Sequence, residues 1–115
     1  MARIGGNTTA SIERCTKYEK NEAGESVPVW AHVGDLTGWL DLYGDRGGPN
    51  YGTYNAPIAE SSHMFIADYD AIIAGAKYDT CRATINGQRY DVQLIDDPME
   101  MHKQLEIYLK HTGGQ

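Results

Sequence analysis

Four histidines are the first candidates for chemistry among the side chains of this protein. They lie at His32, His63, His102 and His111 and show neither HxH nor HExxH spacing. Metal sites need several donor side chains at defined spacings, and surface or edge imidazoles are commoner than metal ligands. The spacing therefore predicts no metal site.

Two neighbouring carboxylates, Asp96 and Asp97, precede His102 and suggest a possible acid–base pair. Adjacent residues of a strand point to opposite faces, so the two carboxylates would not face one substrate. A capping box explains the segment more simply, with Asp97 as the N-cap, Pro98 at the first helical position and Glu100 at the third. We therefore predict that Asp97 and Pro98 have a structural role at the start of a short helical turn.

The remaining nucleophiles and glycines lack the surroundings that catalysis or phosphate binding requires. Cys15 and Cys81 fit neither a CxxC motif nor a zinc cluster, and we expect both to be reduced, buried core residues. The glycines from Gly44 to Gly52 match neither a P-loop nor a dinucleotide fingerprint, and no serine has a nucleophile-elbow context. The sequence thus predicts no catalytic residue, no cofactor and no enzyme activity.

The elements that position these residues belong to one domain spanning residues 1–115. The chain is 41% hydrophobic and 23% charged, which is typical of a globular domain with one core. A net charge of −6 disfavours a tight grip on nucleic acid. The most apolar stretch, residues 71–76, is far shorter than the roughly 20 residues of a membrane helix, and the amino terminus lacks the apolar core of a signal peptide. We expect a soluble protein that does not contact membranes.

Alternating apolar and polar residues predict a mainly β fold, a small antiparallel β-barrel of SH3-like type with one short helical turn near Pro98. Pro28 favours an edge position for its strand because it cannot donate to a ladder. Residues 68–79 fit either a helical turn or a connection. The predicted strands cover residues 8–20, 26–33, 36–43, 62–67, 80–85, 88–95 and 105–110.

The clearest local signal is a hairpin centred on Asn86-Gly87. Both residues tolerate the positive φ of a type I′ turn, and a two-residue turn fixes the strand register. This register places Arg82 opposite Asp91 on one face as an opposite-charge pair. On the other face it places Ile85 opposite Gln88, Ala83 opposite Tyr90 and Cys81 opposite Val92.

Two further regions favour contacts with partners. Trp30, Trp39 and Tyr43 alternate with apolar residues and either face a partner or complete the core. Residues 44–57 contain four glycines, two prolines, Tyr51 and Tyr54, and we expect a flexible loop that becomes ordered against neighbours. Residues 111–115 are expected to form a loose tail.

Four segments also follow one another in an informative order, ASIERCTKYEKNEAGESVPVWAHV, LTGWLDLY, HMFIADYD and ATINGQRYDVQLIDDPMEMHKQLEIYLK. This order resembles the head-tail adaptor, or head-tail joining, proteins of tailed bacteriophages and prophages. The resemblance covers nearly the whole chain, and its carboxyl-terminal block is the most specific part. The matching residues are Ile12, Glu13, Arg14, Val29, Trp30, Asn86, Gly87, Tyr90, Asp91, Val92, Ile95, Asp96, Asp97, Pro98, His102, Leu105, Glu106, Ile107 and Leu109.

The resemblance implies a non-enzymatic, head-closure type of barrel in the virion neck, assembled in the host cytoplasm. In the virion the subunit would form a homo-oligomeric ring between the portal or connector adaptor and a tail-end or tail-completion protein. The resemblance allows a monomer when the subunit is isolated. DNA would pass through without tight binding, which suits an acidic protein. The candidate oligomer or channel interface comprises Trp30, Trp39, Tyr43, Asp45, Arg46, Tyr51 and Tyr54.

Three alternatives remain open at this point. Another class of tail-completion or neck protein is the nearest. An SH3-like peptide-binding module would need a groove of clustered aromatic side chains for a proline-rich ligand. A small hydrolase or metal enzyme would need convergent titratable groups.

Overall fold

Six antiparallel strands form a closed ring in the computed structural model, which describes residues 4–42 and 61–112. Their order around the ring is β1-β2-β3-β6-β5-β4, and β4 pairs back onto β1. The predicted mainly β, antiparallel barrel is confirmed. The strands are β1 (Thr8–Lys20), β2 (Ser26–Leu42), β3 (His63–Asp68), β4 (Cys81–Ile85), β5 (Gln88–Asp96) and β6 (Gln104–His111). No helix in the described part of the chain is long and apolar enough to cross a membrane.

Alternate residues of the strands point inward and form one core. Each fully buried Leu, Ile or Phe side chain is worth about 1.5–3 kcal/mol relative to an exposed one. This period-two burial is the reason why the alternating pattern of the sequence indicates strands. The buried apolar residues are Ala10, Ile12, Leu36, Phe65, Ala67, Ile73, Cys81, Ala83, Ile85, Tyr90, Val92, Leu105, Ile107 and Leu109.

The β4–β5 hairpin has the predicted turn and register. Asn86 and Gly87 have φ values of 54° and 79°, as a type I′ turn requires. Arg82 lies opposite Asp91 in the ladder. The guanidinium, however, donates its hydrogen bond to Glu13 on β1, at 2.7 Å, instead of pairing with Asp91. The cross-strand register is confirmed, whereas the ion pair forms with the neighbouring strand.

The two strands predicted over residues 26–33 and 36–43 are one continuous strand, β2. Register shifts between Ile12 and Glu13, and again between Cys15 and Lys17, let β1 follow the bending β2 without breaking the ladder. Along this segment the apolar residues change from one face of the strand to the other, and such a change is typical of a strand end. Two strands were therefore predicted instead of one. Pro28 pairs with Tyr18 alone in the described residues, which agrees with the predicted edge position.

The β1–β2 pair extends beyond the barrel as a two-stranded arm, residues 15–30, here called the projecting hairpin. The β1–β4 ladder ends at Arg14, and residues 15–30 pair only with each other within the described chain. Asn21 orders the tip, because its side-chain oxygen accepts hydrogen bonds from the backbone N–H groups of Ala23 and Glu25, at 2.9 and 3.0 Å. The arm is therefore a defined structural element.

Helix α1 (Ala71–Ala74) occupies the stretch for which the sequence left two possibilities. The carboxylate of Asp70 caps it by accepting from the N–H groups of Ile72 and Ile73, at 2.9 and 3.0 Å. Ile73 is buried, so the helix covers part of the core. A 3₁₀ turn over Tyr78–Thr80 follows, so the described chain has more short helical turns than the single one predicted.

The turn after β5 is only partly as predicted. Asp97 stands at the N-cap and Pro98 in the first turn, but the turn (Pro98–Glu100) is 3₁₀, and the Asp97 side chain forms no cap hydrogen bond with it. Met99 and Glu100 have positive φ values of 54° and 55°, so the chain leaves the right-handed helical region before a capping box can close. The predicted capping box is wrong. The Asp97 carboxylate instead accepts from the backbone N–H of His102, at 2.9 Å.

The carboxyl-terminal strand runs further than predicted. The backbone N–H of His111 donates to Ser62 Oγ at 2.9 Å, and Thr112 donates through its N–H and its hydroxyl to the carbonyl of Arg89. These two residues of the predicted loose tail are therefore held on the barrel. Residues 113–115 lie outside the described residues.

Gly38 lies where the backbone of β3 leaves no room for a side chain on β2. A Cβ atom built there would lie 2.0 Å from the carbonyl oxygen of Ile66 on β3. On the other side, the amino-terminal segment packs on the same residue, because Asn7 donates its N–H to the Gly38 carbonyl at 3.1 Å. Only a residue without a side chain fits between these two backbone segments.

Candidate functional site

Of the seven residues predicted to form an oligomer or channel interface, the structure describes two, Trp30 and Trp39. They lie at different places on β2 and do not form one cluster with each other. The other five, Tyr43, Asp45, Arg46, Tyr51 and Tyr54, lie outside the described residues, as does the predicted flexible loop 44–57.

Trp39 is half exposed and partly engaged. Its indole N–H donates to the carbonyl of Ile4 at 3.1 Å, while 48% of the residue remains accessible. Leu42 is 61% exposed near the end of the same strand. The inward-facing row of β2 thus ends at Leu40. Trp39 and Leu42 leave apolar surface next to the segment that begins at residue 43.

Trp30 is fixed by a three-strand contact. The guanidinium carbon of Arg82 lies 3.9 Å from the centre of the Trp30 ring, which is a cation–π geometry. The same guanidinium forms an ion pair with Glu13 at 2.7 Å, where both side chains are largely shielded from solvent. Side chains from β1, β2 and β4 therefore join at the base of the projecting hairpin. One face of the indole is covered by Arg82.

A groove of about 760 Å³ lies beside this contact. Its walls come from β1 at the start of the projecting hairpin, the Tyr78–Thr80 turn and the middle of β5. We call it the aromatic groove, since three aromatic side chains lie along it. The lining residues are Cys15, Thr16, Lys17, Tyr18, Trp30, Tyr78, Asp79, Thr80, Cys81, Asp91, Val92 and Gln93.

The charges of the aromatic groove are unevenly paired. Lys17 forms an ion pair with Glu19 at 3.0 Å, so its charge is already balanced locally. Asp79 and Asp91 are both exposed and form no ion pair with any cation of the described residues. The groove therefore presents, next to aromatic surface, two exposed carboxylates that form no ion pair in the described part of the chain.

The two cysteines at the groove differ in environment. Cys81 is buried, as predicted, and this burial raises the pKa of its thiol, which stays protonated at neutral pH. Its Sγ donates to the Lys77 carbonyl at 3.3 Å. Cys15 is only half-buried, so the prediction that it is buried is wrong. The physical reason is its position, because β1 leaves the barrel at this residue.

A cluster of His63, His111 and Tyr90 forms at one end of the barrel. The Tyr90 ring centre lies 5.1 Å from that of His63 and 5.2 Å from that of His111. Ser62 Oγ lies 2.9 Å from His63 Nδ1. Burial, and next the charge of His111, lower the pKa of His63. Sequence spacing gives no sign of this cluster, because it is created by the β3–β6 and β5–β6 pairings.

Asp97 pairs with His102, whereas the sequence analysis weighed Asp96 and Asp97 together as paired carboxylates near this histidine. Nδ1 of His102 lies 2.5 Å from the Asp97 carboxylate, and the Tyr69 ring stacks on the imidazole with ring centres 4.7 Å apart. Asp97 also holds the backbone of His102, so the pair organises the turn before β6. Across residues 4–42 and 61–112, no three His, Cys, Asp or Glu side chains are grouped so that they could hold a metal ion.

A scan against protein-family models and a search of curated proteins both found no match. The function must therefore be argued from the sequence pattern and from the surfaces described above.

Proposed function

We propose that this protein is a structural subunit of the neck of a tailed bacteriophage or prophage. In this role a ring of copies joins the portal-bearing, DNA-filled head to the tail and closes the DNA channel. One side of the ring contacts the portal or its connector adaptor, and the other contacts a tail-end or tail-completion protein. The order of sequence segments, above all the block from Asn86 to Leu109, suggests this role.

The projecting hairpin is the structural observation that supports the proposal best. A two-stranded hairpin is only marginally stable in water by itself, and its open edges invite pairing with other chains. Here the arm carries Tyr18, which is 67% exposed, and Val27, which is 36% exposed. Such an arm gains a partner when subunits stand side by side. It fits a protein that works in an assembly.

The charge of the chain is compatible with the same role. Proteins that hold DNA tightly neutralise its phosphates with clustered Lys and Arg, whereas this chain has a net charge of −6. Its described arginines are also engaged or dispersed, since Arg82 pairs with Glu13 and stacks on Trp30. A channel subunit that lets DNA pass benefits from weak attraction to the phosphates.

Deletion of the coding sequence from the phage or prophage that carries it tests the role. We expect induced cells to accumulate separate tails and heads that lose their DNA, counted by electron microscopy, and infectious titre to fall by orders of magnitude. Expression of the wild-type protein from a plasmid should restore the titre. Normal titre after deletion would contradict the proposal. Genes for portal, capsid and tail proteins should flank the coding sequence.

A matched pair of arm variants tests the contribution of the projecting hairpin. In the first, an Asn-Gly turn replaces residues 18–28 and joins Lys17 to Val29, which face each other in the ladder. In the control, the same turn replaces residues 21–25 and joins Lys20 to Ser26, so the arm is kept. Both should fold, as circular dichroism would verify, and only the control should restore infectious titre. Equal rescue by both would show that the arm is dispensable.

A further inference from the structure

The aromatic groove lies where the wall of the barrel opens. β1 and β4 pair from Ala10 opposite Ile85 to Arg14 opposite Cys81. The chain before Cys81 is the 3₁₀ turn, which leaves the line of the strand, while β1 continues to Lys20. Six residues of β1 therefore have no strand on this side within the described chain. At about 3.3 Å per residue, this open edge is about 20 Å long.

The opposite wall of the groove is formed by β5. Gln93 lies at the irregularity of the β5–β6 ladder between Val92 and Leu94, and it lines the groove. Tyr78 is 39% exposed and Tyr18 is 67% exposed, so aromatic surface is accessible on both sides of the opening. The groove thus combines an unpaired strand edge with exposed aromatic rings. These are features of sites that bind an extended segment by strand addition.

The charges indicate which kind of segment fits. Asp79 and Asp91 form no ion pair in the described residues. Arg82 and Lys110 lie opposite Asp91 in the two ladders, but the Arg82 guanidinium is already bound to Glu13. A cationic side chain entering the groove would meet two carboxylates and aromatic faces, which attract guanidinium groups in particular. The arm of a second copy is a poor fit, because residues 17–25 contain two lysines and three glutamates.

We propose that the aromatic groove binds an extended, arginine-containing segment of another protein. The segment lies along the open edge of β1 and places guanidinium groups against Asp79 and Asp91. This inference goes beyond the proposed neck role and does not depend on it, since it follows from the strand edge, the aromatic rings and the unpaired carboxylates.

Fluorescence anisotropy with defined peptides tests the inference. The probe is a fluorescein-labelled eight-residue peptide of alternating arginine and valine, and its counterpart has glutamate in place of arginine. We expect saturable binding of the basic peptide only, weakened as salt rises from 50 to 300 mM because the charges are exposed. A third peptide with proline in place of valine should bind more weakly, since proline disfavours strands.

Two double variants with the same change in net charge locate the site. Asp79→Asn with Asp91→Asn should weaken binding by about three- to tenfold, the range expected for two exposed ion pairs. The control, Glu22→Gln with Glu100→Gln, changes two exposed carboxylates that do not line the groove, and its effect should stay below twofold.

Four results would overturn the inference. The first is no binding of the basic peptide up to 1 mM, and the second is an equal loss of affinity in both double variants. Tighter binding of the proline peptide would assign the groove to proline-rich ligands instead. The fourth is self-association of the chain that sedimentation detects and that the Asp79→Asn and Asp91→Asn pair abolishes. This result would assign the groove to a second copy.

Discussion

Substitution of Gly38 by alanine tests whether the barrel depends on the close approach of β2 and β3. The new Cβ would lie 2.0 Å from the carbonyl oxygen of Ile66 and 3.0 Å from the Cβ of Ala67. Carbon–oxygen contacts between neighbouring strands are normally about 3.3 Å or longer, so the backbones must separate by about 1.3 Å. The obstacle is main chain that is held in the ladder on both sides, so it cannot move as the end of a side chain can.

Overpacking in a core costs about 1–3 kcal/mol, and this position belongs at the upper end of that range or above it. We therefore expect Gly38→Ala to lower the free energy of unfolding by about 3 kcal/mol. For a domain of this size, such a loss corresponds to a decrease in Tm of about 12 °C. Urea unfolding followed by circular dichroism and a thermal melt measure the two quantities.

Gly34→Ala is the matched control on the same strand. Its new Cβ would lie 3.3 Å from Cδ1 of Ile73, which is the flexible end of a side chain. We expect a change of less than about 1 kcal/mol, because the neighbour can move and alanine lowers the entropy of the unfolded chain. If the two variants differed by less than about 1 kcal/mol, the inferred constraint at Gly38 would be refuted.

Three further predictions concern the turn, the partly buried ion pair and the histidine cluster. Gly87→Val should lower the free energy of unfolding by about 1–3 kcal/mol, because φ is 79° at this position and a β-branched residue is strained there. An unchanged Tm would contradict the type I′ turn. Arg82→Met should lower the free energy of unfolding in urea by about 1–3 kcal/mol, because it leaves the shielded Glu13 carboxylate unpaired. The control Lys17→Met removes an exposed ion pair and should lower this free energy by less than about 0.5 kcal/mol. The pKa of His63 is lowered from 6.5 in the folded protein, so the unfolded chain binds this proton more readily. The free energy of unfolding should therefore fall as the pH decreases below about 6.5. His63→Gln should make this fall smaller, as urea titrations at pH 7.5 and pH 5 would measure.

The parts of the fold that local sequence determines were predictable. Asn86-Gly87 sets its own turn and register, so the β4–β5 hairpin follows from a few residues. The inward-facing rows, such as Leu105, Ile107 and Leu109 of β6, follow from the period of two. These signals need no knowledge of distant parts of the chain.

The candidate sites depend on pairings between distant segments and were not predictable. His63 and His111 meet because β3 and β6 are neighbours, and the ion pair of Glu13 with Arg82 needs the β1–β4 ladder. The aromatic groove arises because β1 continues past the point where β4 begins, which no local pattern encodes. The sequence singled out Trp30 as a candidate interface residue, which stays a prediction, and its contact with Arg82 could be seen only in the fold.

The closure of the ring has a consequence for the rate at which the protein folds. The β1–β2 and β4–β5 ladders connect segments that are close in sequence, whereas closure pairs Ala10 with Ile85, 75 residues further along the chain. Folding slows as contacts become less local, because the entropy of a long loop must be lost before the distant contacts form. We expect the two hairpins to form early and the β1–β4 seam to close last, on a timescale of milliseconds to seconds. A newly synthesised chain would pass through this interval with both edges of the future seam unpaired.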